Sequence, residues 1–130
     1  MRNIITVVLI SHNSRELILK FINNLSKDIK VLVIENSSDF SLEKEIKNYK
    51  NVEIKFMVNN GYGAAINYAR TYILTKYFFV FSPDLKKVDD KLIDTFEKKV
   101  DVIESFGALG PRFLNVTEKS HKQSKITNEI

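Results

Sequence analysis

The stretch IITVVLISHNS, residues 4–14, decides how this chain is read. Ile4 to Ile10 are almost wholly aliphatic or β-branched, the composition of a strand covered on both faces in a parallel sheet. Ser11, His12, Asn13 and Ser14 end the run in a polar turn. Asn13, with Glu16 three residues on, predicts a capped helix start, and Leu17, Ile18, Phe21, Ile22 and Leu25 then recur at helical spacing. A buried strand that passes through a polar turn into an amphipathic helix is the opening of a βαβ unit. The alternative, a secretion signal behind Met1-Arg2-Asn3, fails because the apolar run is short, is interrupted by Thr6 and has no small-residue cleavage site after it.

The same pattern repeats outward from that stretch. Val31 to Ile34 is a second buried strand ending in Glu35-Asn36-Ser37-Ser38-Asp39. A short helix around Leu42, Ile46 and Tyr49 leads to a third strand near residues 52–58. Asn59-Asn60-Gly61-Tyr62-Gly63 forms a loop, followed by a helix whose Ala64, Ala65 and Ala69 permit close packing. Tyr77 to Phe81 is a fourth strand, broken by Ser82-Pro83-Asp84. Leu92, Ile93, Phe96, Val100 and Ile103 predict a fourth helix from Asp90 to about Ser105, and 107–114 a fifth extended segment. Alternating strands and helices imply right-handed βαβ crossovers and hence a three-layer α/β/α fold with a mostly parallel sheet. Residues 1–115 are expected to form the domain and 116–130 a polar, flexible tail, because the tail offers little apolar area against its ordering entropy.

Composition narrows the function. The chain has 130 residues, 44% of them hydrophobic, and no cysteine, so disulfides and thiolate metal sites are excluded. Twenty Lys and Arg against sixteen Asp and Glu give a net charge of +4, but the lysines alternate with acids along the helices. Such faces are solvated surfaces and not a nucleic-acid footprint, so no nucleic acid is expected as a partner. No run approaches the roughly 20 apolar residues of a membrane span.

In a parallel α/β sheet ligands sit beyond the carboxyl ends of the strands, where the strand order reverses. Ser11-His12-Asn13, Glu35-Asn36-Ser37-Ser38 and Ser82-Pro83-Asp84 all fall at such ends. They converge if strands one, two and four are neighbours. Alone, each motif is weak: Gly61-x-Gly63 lacks the third glycine of a dinucleotide fingerprint, and neither His12 nor His121 has a second histidine at metal-ligand spacing.

Taken in order over about residues 4–115, these segments resemble the N-terminal half of the family 2 glycosyltransferases of GT-A fold, rhamnosyltransferase-like branch. The family's Thr-Tyr-Asn-Ser turn is matched by Ser11-His12-Asn13-Ser14 and its Val-Asp-Asn-Ala-Ser by Ile34-Glu35-Asn36-Ser37-Ser38. Its Asn-Leu-Gly-Phe-Gly-x-Ala-x-Asn is matched by Asn59 to Asn67, its Asn-Pro-Asp-Val by Ser82-Pro83-Asp84-Leu85, and a later Gly-Pro-Arg by Gly110-Pro111-Arg112. The resemblance implies binding of a nucleotide-diphosphate sugar with a divalent cation, Mg²⁺ or Mn²⁺, and transfer of the sugar to an acceptor hydroxyl. Glu35 would hydrogen-bond the donor's base or ribose and Asp84 would hold the metal. Ser11, His12, Asn13, Asn36, Gly61, Gly63 and Asn67 would shape the donor pocket.

Three departures from the family qualify that expectation. Ser82 replaces an Asn or Asp of the metal element, Glu35 is one methylene longer than the usual Asp, and His12 stands for the usual Tyr. The family's catalytic base and acceptor pocket come from the half after Gly-Pro-Arg, so the chain is expected to need a partner chain or oligomer for transfer. The alternative is a non-catalytic domain that binds nucleotide sugars or a partner. By resemblance the setting would be polysaccharide biosynthesis in a bacterial cytoplasm, at the inner face of the membrane.

Overall fold

The computed structural model describes residues 4–86, 88–103, 107–110 and 128–129. The chain divides into two compact units, Met1–Ile93 and Asp94–Ile130. In the first, β1 (Ile5–Ser11), β2 (Lys30–Glu35), β3 (Val52–Phe56) and β4 (Tyr77–Phe81) form one sheet in the order β3-β2-β1-β4. Every pairing is parallel, with Ser11 opposite Glu35, Glu35 opposite Phe56 and Leu9 opposite Phe81. The helices between them are α1 (Arg15–Asn23), α2 (Ser41–Ile46) and α3 (Tyr62–Arg70), and α4 (Asp90–Val102) crosses the division between the units. In the second unit Leu109–Gly110 (β5) pairs in parallel with Asn128–Glu129 (β6).

The alternation of side chains along a strand sends successive residues to opposite faces. Val7, Leu9, Val31 and Val33 meet Ile18, Phe21 and Ile22 of α1, Leu42 and Ile46 of α2, and Ile93 on one side. Val8, Ile10, Leu32 and Ile34 meet Ala65 and Ala69 of α3 on the other. This is the three-layer arrangement, and it explains why β1 is buried along its whole length. The chain walks from β1 to β3 in one direction with α1 and α2 on one face. It then returns over the other face through α3 to place β4 on the far side of β1, as right-handed crossovers require. The strand order therefore reverses beside β1.

Ala65 and Ala69 are fully buried, so α3 packs on the sheet through methyl groups. A Val at position 65 adds two methyl-sized volumes to a filled contact and a β-branched residue to a helix. Ala65→Val is expected to cost about 1–2 kcal/mol in denaturant unfolding.

Several local expectations are corrected. Asn13 is not the cap of α1: it has a positive φ of 53°, and the helix begins at Arg15 after Ser14, whose side chain makes no capping bond. Asn tolerates this left-handed conformation better than most residues, which lets the chain turn sharply off β1. β3 stops at Phe56; the Met57 N–H still reaches the Glu35 carbonyl at 3.0 Å, and the chain then leaves the sheet. α4 ends at Val102. Residues 111–127, which include Arg112 and most of the predicted tail, lie outside the described residues, as do 104–106. Among the described residues no helix is long and apolar enough to cross a membrane.

Candidate functional site

The carboxyl ends of β1 and β2 are tied together by one side chain. Glu35 is 1% exposed. Its Oε1 accepts from the Ser11 hydroxyl at 2.7 Å, and its Oε2 accepts from the Ser37 hydroxyl at 2.6 Å, the Ser37 N–H at 3.2 Å and the Asn13 N–H at 3.3 Å. A buried carboxylate without donors would be strongly unfavourable, and these four donors compensate it. They also fix the turns after both strands. The backbone adds a bond from the Asn36 N–H to the Ser11 carbonyl at 2.9 Å. Glu35 therefore points into the protein, with both of its oxygens engaged by neighbouring donors.

Beside Glu35 a cleft opens, with the buried Asn36 at its edge. His12, Asn13, Asn36, Ser37, Ser38, Phe40, Phe56, Met57, Val58 and Asn59 line an open cleft of about 730 Å³ beyond the ends of β1, β2 and β3. Phe40 and Phe56 pack at 4.9 Å between ring centroids, and Phe40 and Val58 are largely exposed, giving the cleft an apolar wall. The polar side is a chain of hydrogen-bonded side chains. His12 Nδ1 lies 2.8 Å from Asn36 Oδ1, Asn36 Nδ2 lies 3.5 Å from Asn59 Oδ1, and the Gly61 N–H donates to the same Asn59 oxygen at 3.1 Å. No carboxylate is among the lining residues. Behind Phe40, the N–H and hydroxyl of Ser41 both bond Asp39 Oδ1, and these bonds hold the Asp39 carboxyl below its ordinary 3.8.

The other expected residues fall in three places. Ser11 is buried beneath the cleft as a partner of Glu35. Gly61 precedes α3 with φ +98° and anchors Asn59, whereas Gly63 and Asn67 lie within α3 and do not line the cleft. Asn67 is exposed, roughly 200° around the helix from Ala65, which faces the sheet. Asp84 is exposed in the turn after β4, where the Ser82 hydroxyl donates to its Oδ1. Because β4 lies beside β1, Asp84 shares the carboxyl edge of the sheet with His12 and Asn13. Among the described residues no three His, Cys, Asp or Glu side chains gather into a metal site. The apolar wall of Phe40, Phe56, Met57 and Val58 was not singled out from the sequence. Its one signal is that β3 and the turn after β2 each place an aromatic beside a polar strand end.

Comparisons with known proteins give a family and a fold. A family model described as Glycosyl transferase family 2 matches residues 6–118. Among solved structures the chain is similar to the crystal structure of S. aureus TarS 1–349, with a TM-score of 0.64 at 15% sequence identity. The match covers 88% of this chain and 38% of that one, so the chain spans well under half the length of that structure. At this identity the likeness bears on the fold alone. No curated protein matches.

Proposed function

The chain belongs to glycosyl transferase family 2, and from that premise we propose that its carboxyl-edge cleft binds the nucleoside diphosphate of an activated sugar whose glycosyl group goes to an acceptor hydroxyl. The observation that carries this reading is the position and chemistry of the cleft. It opens beyond the strand ends, next to the reversal of strand order, where ligands of parallel α/β sheets bind. An apolar wall opposite amide and imidazole groups suits a nucleoside, which has flat apolar faces and a polar edge.

The diphosphate would lie toward β4, where Asp84 offers a carboxylate. Mg²⁺ and Mn²⁺ are commonly held by one or two carboxylates together with substrate phosphate oxygens, so a single Asp fits a cation that arrives with the nucleotide. When bound, the cation would neutralise charge on the departing diphosphate. The chain's own groups then have separate tasks: Glu35 sets the two turns, Asn36 and His12 meet the nucleoside, and Asp84 faces the phosphates. The general base and the acceptor pocket would come from polypeptide beyond this cleft, in the same chain, a partner or a second copy. The acceptor would be a surface polysaccharide or lipid-linked glycan, met on the cytoplasmic side of a bacterial membrane.

Thermal unfolding with UDP, GDP or dTDP, with and without Mn²⁺, tests the proposal. At ten times its dissociation constant the preferred nucleotide is expected to stabilise the protein by about 1.4 kcal/mol, a shift of a few degrees. Asp84→Ala is expected to remove the Mn²⁺-dependent part and leave stability without ligand unchanged. If no nucleotide shifts the transition under any of these conditions, the cleft is not a donor site.

A further inference from the structure

The hydrogen-bond chain along the polar side of the cleft has a fixed direction. The Gly61 N–H can only donate, so the Asn59 atom 3.1 Å away is the amide oxygen. That oxygen also accepts from Asn36, which sets the Asn36 nitrogen toward Asn59 and its oxygen toward His12. An amide oxygen can only accept, so the neutral His12 ring, 2.8 Å away, carries its proton on Nδ1. A backbone donor three residues along the chain of bonds thus selects the tautomer of the imidazole. Nε2 is left with a free lone pair on an exposed residue that lines the cleft.

The rest of the site gives that lone pair a task. Of the carboxylates at the strand ends, Glu35 has both oxygens engaged from inside and Asp84 lies in the turn after β4, and none of the cleft's lining residues is acidic. A nucleobase imide N–H or a ribose hydroxyl entering the cleft still needs an acceptor. An unprotonated imidazole nitrogen is the most basic one among the lining side chains. We infer that His12 is a specificity-determining residue whose Nε2 accepts a hydrogen bond from an N–H or O–H donor of the bound nucleoside. The inference rests on the cleft being a nucleotide site.

Long-range ¹H–¹⁵N correlation spectra of the histidine rings test it, recorded well above the ordinary imidazole range with UDP or GDP added. The expected result has three parts: the Nδ1–H pattern for His12 without ligand, a displaced Nε2 resonance with nucleotide, and binding weakened roughly five- to tenfold by His12→Asn. His12→Asn keeps a donor near the Nδ1 position and removes the Nε2 acceptor, so it should leave the melting temperature unchanged. Base-methylated analogues (N3-methyl-UDP, N1-methyl-GDP) and 2′,3′-dideoxy analogues separate the two sources. Whichever analogue binds the natural protein and His12→Asn equally well has lost the group that His12 reads. If the ring shows the Nε2–H pattern, or if nucleotide moves cleft amides while Nε2 and the affinity of His12→Asn stay unchanged, the inference is overturned and the cleft remains a nucleotide site. If neither nucleotide moves any cleft resonance, the donor-site reading falls and takes this inference with it.

Discussion

Glu35→Ala is expected to lower the unfolding free energy by about 3–5 kcal/mol, the largest effect of any single substitution at the strand ends. The carboxylate takes four hydrogen bonds in a site that is 1% exposed. Two of the donors, the Ser11 and Ser37 hydroxyls, can rotate toward other acceptors. The N–H groups of Asn13 and Ser37 cannot, and removal of the side chain leaves them facing a void that its two further carbons and two oxygens had filled. Each lost partner costs about 1–3 kcal/mol where water cannot replace it, and the void adds to that. Urea unfolding of the natural protein and the variant measures the difference.

A milder change at the same position separates support from contact. Glu35→Gln keeps the shape and one acceptor oxygen. That oxygen is best placed toward Asn13 and Ser37, with the amide nitrogen donating to the Ser11 hydroxyl, which can turn to accept. The loss is then about 1–2 kcal/mol, and nucleotide affinity, measured below the unfolding range, should stay within about twofold. A Gln variant that is nearly as stable as the natural protein but has lost nucleotide binding would show that Glu35 contacts ligand directly.

The sequence displays the fold more openly than the site, for a physical reason. Strands buried on both faces need continuous apolar runs, and Ile4 to Ile10 and Val31 to Ile34 state that need in composition alone. Spacing likewise marked Leu17, Ile18, Phe21, Ile22 and Leu25 as the apolar face of α1 and the turn after it, and all but the exposed Leu17 are buried. Parallel strands put Ser11, Glu35 and Asp84 at one edge of the sheet, but their convergence was legible only on condition that strands one, two and four are neighbours, which the order β3-β2-β1-β4 meets. The direction in which a side chain points at the end of a strand was not. Glu35 and Asn36 are adjacent, both polar, and differ only in the alternation of the pleat, which ends at that place. One is drawn inward by donors 22 and 24 positions earlier in the chain, the other lines the cleft. Asn13 was read as a helix cap because its sequence context fits one, yet its N–H is committed to Glu35, and that bond belongs to tertiary structure. Asn67 carried a motif position but sits on the solvent face of α3, a fact set by the Ala65 and Ala69 contacts with the sheet.

Gly61→Ala is expected to destabilise the protein by about 2–3 kcal/mol, while Gly63→Ala, two residues on, is expected to stabilise it by about 0.5–1 kcal/mol. Neither glycine is crowded, since a Cβ at each would meet no atom within 4 Å. The difference is conformational. Gly61 has φ +98° and ψ 167°, a region that residues with a Cβ hardly enter. An alanine there must either bear that strain or rotate the peptide, and rotation withdraws the N–H that fixes Asn59, with Asn36 and His12 behind it. Gly63 lies in α3, where alanine is the better helix former and reduces the freedom of the unfolded chain. Its glycine therefore has no structural reason in the isolated domain. If Gly63→Ala is more stable but binds nucleotide no more weakly, the open space beside it is plain solvent. If it is more stable and binds more weakly, a methyl group has entered space the donor needs, and the glycine pair of the loop divides into one residue kept for the backbone and one kept for the ligand.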